Sequence, residues 1–189
     1  MKKLLLLAIS LVFLASCGSK TVVVQGGSDG RPAWTMKGAG AFTIEGKKVF
    51  RSVGISSDLG DEAMTLAASA DSARENLSFV MKTYVKALHE SYKRSIKTGE
   101  MPKAQFEQDI THVSEVMTKS KFSGAQVVNR WIDGKNNTVY TLLELDLNGV
   151  NDMIKNAKGI SQALIDTVGK RSEEAHERMN EKMKEVGDF

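Results

Sequence analysis

The chain predicts an α+β fold: a small, mainly antiparallel sheet of about three strands packed against about three long helices. Three observations carry that expectation. From residue 62 to about 96, Ala63, Leu66, Ala70, Ala73, Leu77, Val80, Tyr84 and Leu88 recur every three or four places, the period of a helix lying on a core. Residues 121–133 and 138–147 are β-prone runs on either side of "DGKNN", a hairpin turn signal. With two prolines and seven phenylalanines in 189 residues, a large all-β protein is disfavoured.

The first 16 residues read as a secretory leader. Met1-Lys2-Lys3 is a short positive head, the next twelve residues are apolar except Ser10, and the small residues Ala15 and Ser16 follow. A helix needs roughly twenty apolar residues to span a bilayer, so this run starts translocation without remaining as a span. Cys17 comes next and is the only cysteine, which excludes an internal disulfide. Leu14-Ala15-Ser16-Cys17 resembles the bacterial lipobox. That resemblance implies a diacylglyceryl group on the thiol, cleavage before the cysteine, and acylation of the new amino terminus by a chain such as palmitate. The plain alternative is an ordinary signal peptide with a chance cysteine. One acyl chain binds membranes only marginally, whereas two or three on one residue make release very slow.

Loss of the leader removes Lys2 and Lys3 and brings the formal charge of +3 down to about +1. No basic patch interleaved with aromatics remains, so no nucleic-acid partner is expected. About 170 residues suit one domain with a tail.

Residues 17–31 read as the lipidated cysteine and its tether, ending in the flexible "GGSDG". Extended, fourteen residues reach at most about 45–50 Å. Residues 21–24 are β-prone and able to add to a sheet edge. The domain is expected over residues 32–172. Trp34 beside Pro32 reads as a lid over the core, with ligand stacking the alternative. "KGAGAF" lacks the third glycine of a phosphate-binding loop, because Thr43 stands there, so its glycines serve a turn or bulge. Residues 47–56 are a strand, and Asp61 is placed to cap the helix that follows. The alanines in that helix let a sheet approach closely. Pro102 opens a second helix over residues 103–119, with Phe106, Ile110, Val113 and Met117 on one side, folded back as a hairpin.

In the strand over residues 138–147, Val139, Thr141, Leu143, Leu145 and Leu147 share one face; Tyr140, Leu142, Glu144 and Asp146 share the other. The first face is core. The second is mixed, as where a partner or solvent meets a sheet. A last helix is capped by Asn148 or Asn151, with Met153, Ile154, Ala157, Ile160, Leu164 and Val168 as its stripe. Residues 173–189 read as a charged helical tail in which only Ala175, Met179, Met183 and Val186 stay on the stripe, exposed, frayed or docked on a partner by its methionines.

No constellation argues for catalysis. His89, His112 and His176 lack a second histidine at helical spacing, so no metal site is expected, and there is no Gly-x-Ser-x-Gly elbow. Glu144 and Asp146 share a strand face, where solubility explains them better than acid–base work. The basic run "YKRSIK" suits a helix C-terminus or an anionic lipid surface. No cofactor is expected.

A lipobox followed by "RPAWTM", "FRSVGIS", "AASADSAREN", "RWID" and "TVYTLLELDL" resembles the LPP-twenty-like family of small bacterial lipoproteins. The matching residues are Pro32, Trp34, Gly54, Ala68, Ala73, Arg74, Trp131, Tyr140 and residues 145–147. The resemblance implies an antiparallel sheet on long helices, attachment at the outer membrane or cell surface, and no catalytic site. Gly18 after the cysteine also favours outer-membrane sorting, on the periplasmic face or the cell surface, because the aspartate retention rule is not met. The expected function is non-enzymatic. It is an envelope lipoprotein held to the membrane by its lipid and binding other envelope proteins or assembling with them, with Trp34, Trp131 and Tyr140 as candidate contacts. The alternative is a periplasmic module that binds a small ligand or lipid in a cavity between Trp34, Trp131 and the helices.

Overall fold

The long helix and the sheet meet backbone to backbone. In the computed structural model, which describes residues 23–26, 30–96, 103–119, 122 and 124–186, α1 (Glu62–Ile96) lies across β3 (Lys47–Ser57). A Cβ on Gly54 would stand 2.0 Å from the Ser69 carbonyl oxygen and 2.1 Å from the Ala73 nitrogen, so only glycine permits this approach. Ser52 donates its hydroxyl to the Ala73 carbonyl at 2.7 Å, and Asn76 donates to the Val53 carbonyl at 2.8 Å. Asp61 caps α1, accepting from the Met64 amide at 2.8 Å, as its position predicts.

The remaining elements are β1 (Val23–Gly26), β2 (Gly40–Ile44), α2 (Lys103–Lys119), β4 (Gln126–Asp133), β5 (Thr138–Asp146), α3 (Leu147–Lys155) and α4 (Gln162–Val186). A short 3-10 turn, Ala33–Thr35, precedes β2. The sheet order is β1-β4-β5-β3-β2. Four strands are antiparallel neighbours, and β1 adds to β4 in parallel at one edge. The fold is α+β, as expected, with more elements than the three strands and three helices anticipated.

The main core lies between the sheet and the helices. Phe50, Leu143 and Leu145 from the sheet meet Leu77, Tyr84 and Leu88 of α1, Ile154 of α3, and Leu164 and Val168 of α4. Phe50 and Tyr84 pack edge to face, centroids 4.9 Å apart. The other face of the sheet carries a smaller cluster of Val53, Trp131, Tyr140 and Leu142.

Four expectations are corrected. The single last helix is two, because Gly159 turns the chain at φ +83° and Ser161 starts α4 afresh, accepting from the Leu164 amide through its hydroxyl. Asp146, rather than Asn148 or Asn151, caps α3 by accepting from the Asn148 amide at 2.7 Å. Residues 173–186 are no separate tail: they continue α4, and Ala175, His176 and Met179 are buried. The apolar residues there are few but fall at helical spacing, which suffices once a core is present to receive them. Residues 17–31 are not all tether, since β1 occupies 23–26 of them. Cys17, the leader and residues 187–189 lie outside the described residues.

Candidate functional site

The three aromatic contacts proposed from the sequence come together on the helix-free face. Trp131 and Tyr140 are register partners on β4 and β5, with ring centroids 5.1 Å apart. The 3-10 turn brings Trp34 onto them. The Arg31 guanidinium sits 4.7 Å over the Tyr140 ring, and its Nε donates to the Thr35 hydroxyl at 3.0 Å. The cluster is packed: Trp131 and Tyr140 are buried and Trp34 half-buried. Helix α1 touches the opposite face, where Ser69 and Thr141 hydroxyls lie 2.6 Å apart. The sheet therefore separates the tryptophans from the helices, and the cavity expected between them has no room to exist. The mixed face of β5 is partly closed by this turn and partly by a cross-strand ion pair, in which Arg51 donates Nε and Nη2 to Glu144 at 2.9 and 2.6 Å. Glu144 is thus engaged with Arg51, and Asp146 with a helix cap. Neither is paired with the other for acid–base work.

The histidines are dispersed. His112 contacts the Lys158 carbonyl at 2.7 Å. His176 is fully buried, and its Nε2–H donates to the Val49 carbonyl at 3.0 Å, leaving Nδ1 without a partner among the described residues. Burial holds this imidazole below its usual value, and the nearby Lys48 ammonium acts in the same direction. Among the described residues no three His, Cys, Asp or Glu side chains converge as a metal set. No helix there is long and apolar enough to cross a membrane. Asp109, a buried carboxylate of α2, accepts the Ser161 hydroxyl at the start of α4, joining α2 to the helix break, and it lines a hollow of about 720 Å³ with His112, Glu115 and Lys158.

One open concave feature lies on the far edge of the sheet from β1. An apolar groove of about 440 Å³ runs between α1, α4 and the entry to β2. From α1 come Asn76, Phe79, Val80 and Thr83; from α4, Met179, Lys182 and Met183; from the sheet edge, Ala39 and Gly40. Its volume falls within the roughly 300–1,000 Å³ of ligand clefts. Phe79 is 55% exposed, unusual for a phenylalanine, and the Lys82 ammonium lies 5.2 Å over its ring. Met183 closes the sheet edge: its Sδ accepts the Ala41 amide at 3.3 Å, and it fills the space a Cβ on Gly40 would take.

Sequence reasoning misses this groove. Its signals are an aromatic off the main stripe of α1 and two methionines four residues apart in α4, and neither says that the two helices flank one sheet edge. Comparison with known proteins adds no relative: no family model, curated protein or solved structure matches the chain.

Proposed function

We propose that this chain is a lipid-anchored lipoprotein of the bacterial envelope, sorted to the outer membrane, that works without catalysis by binding other envelope proteins. The observation that carries the reading is a spacing. β1 begins at Val23, six residues after Cys17 in its lipobox-like setting. Six residues extend at most about 20 Å, so a lipid on Cys17 would hold the edge of the sheet close to the bilayer. The order of motifs that resembles the LPP-twenty-like family supports the same reading.

The test is intact-mass measurement on native material, with Cys17→Ser as the variant. Native protein should carry the added mass of its acyl chains. The serine form should leave the membrane pellet or accumulate unprocessed. A native mass equal to bare polypeptide, or a serine form that still pellets with membranes after a high-salt wash, would sink the proposal. A second reading, lipid or small-ligand binding, is favoured by the α1–α4 groove.

A further inference from the structure

We propose that the groove between α1 and α4 binds a single alkyl chain bearing an anionic head, the chemistry shared by a free fatty acid and a single-chain phospholipid. The inference takes up the ligand-binding reading and places it at a site built from other residues than the tryptophans. It does not depend on lipidation of Cys17, because every groove residue belongs to the folded domain.

The body of the groove is hydrocarbon and thioether: Phe79 and Val80 from α1, Met179 and Met183 from α4. Methionine is flexible and polarisable, which suits a chain that enters in several conformations. The charged residue lining the groove is a cation, Lys182. It favours a carboxylate or phosphate at the mouth. A peptide strand fits less well. Its backbone would bring a row of N–H and C=O groups that need partners, and the sheet edge that could pair with them is closed where Met183 covers the Ala41 amide. An alkyl chain asks for no hydrogen bond along its length.

The test uses the chain from residue 17 onward with Cys17→Ser, which keeps every described element. Laurate, palmitate, palmitoyl-lysophosphatidylglycerol and neutral monolauroylglycerol are titrated below their micelle concentrations by calorimetry. Palmitate should bind saturably at one per chain and at least about tenfold more tightly than laurate, since each buried methylene contributes a factor of roughly two to four. Phe79→Asp should weaken palmitate at least tenfold, while Lys135→Asp, at an exposed site in the β4–β5 turn outside the groove, should not. Lys182→Glu should weaken palmitate and spare monolauroylglycerol. Palmitate bound more tightly than its lysophospholipid points to free fatty acid as the source, and the reverse order points to a membrane lipid; either supports the site. No saturable binding by the parent chain, equal affinity for laurate and palmitate, or full affinity in a folded Phe79→Asp protein would each overturn it. None of these outcomes bears on the acyl mass at Cys17.

Discussion

Two glycines in ordinary secondary structure respond in opposite ways to one added methyl group. At Gly54 the methyl would collide with the Ser69 carbonyl oxygen and with Ala73 backbone atoms, none of which belongs to a flexible side chain. Either α1 lifts off β3 or the strand bends, so Gly54→Ala should cost roughly 2–3 kcal/mol and lower the melting midpoint by about 4–10 °C. At Gly149, within α3, the nearest atom to an added methyl is Leu145 Cδ1 at 3.8 Å, an ordinary contact. Gly149→Ala should therefore raise stability by up to about 1 kcal/mol through helix propensity alone. Thermal unfolding of both variants checks the pair. A neutral Gly54→Ala would mean that α1 does not rest on the strand here. Part of this contact is legible in the chain, because Ala70 and Ala73 interrupt a stripe of larger residues just where a close neighbour is needed. Gly54 itself is not, since a glycine inside a strand also marks a bulge or a bend.

At the scale of elements, the least legible part is α4. From residue 173 the composition is that of a solvated tail, and four apolar residues in fourteen do not announce a core helix. What they lack in number they recover through partners at long range. Ala175 and Met179 enter the main core, His176 bonds the Val49 carbonyl, and Lys48 of β3 reaches Glu173 at 2.6 Å and Glu177 at 3.0 Å. β2 is marked in the sequence only by Phe42, Thr43 and Ile44 after the small residues Gly40 and Ala41, and the strand is completed by β3 on one side and Met183 on the other. α1 and the β4–β5 hairpin need no such help, since periodicity and turn chemistry mark them locally. The attachment of α4 has a pH signature. His176 is held below its ordinary value near 6.5, so the fold favours the neutral ring. Above about pH 6.5 the ring is neutral in both states and the attachment is fully present. As pH falls below 6.5 the unfolded chain takes up a proton that the native state resists, and stability declines until the lowered native value is reached. Melting midpoints should thus drop between pH 7 and pH 5 by more in the parent protein than in His176→Gln, whose overall stability is lower but whose curve is flatter. Parallel curves for the two proteins would remove His176 as the cause.

For the whole molecule, the register of β1 sets an orientation. β1 runs parallel to β4, with Val23 beside Asn129 and Gly26 beside Ile132. β1 thus joins the sheet at mid-height, level with Leu142, and runs away from the end where β4 begins, where β2 turns into β3 at Glu45 and Gly46, and where β5 passes into α3. The β4–β5 turn at residues 134–137 and the Asp58–Gly60 loop lie at the opposite end. β5 has nine residues, so the two ends stand about 30 Å apart. If Cys17 carries the lipid and its six-residue link continues the line of β1, about 20 Å of chain runs from mid-sheet past the end where β4 begins, and that end faces the bilayer. A fluorophore at Glu45→Cys, in lipidated protein reconstituted into vesicles, should be quenched by nitroxide-headgroup lipid more strongly than one at Lys135→Cys. Both positions are exposed, so neither label disturbs the core. Inserting ten Gly/Ser residues before Val23 adds more than 30 Å of contour length and should bring the two signals together, because a long flexible link no longer orients the domain. Equal quenching at the two positions without the insertion would mean that β1 does not transmit the anchor's position to the sheet, even where the lipid itself is present.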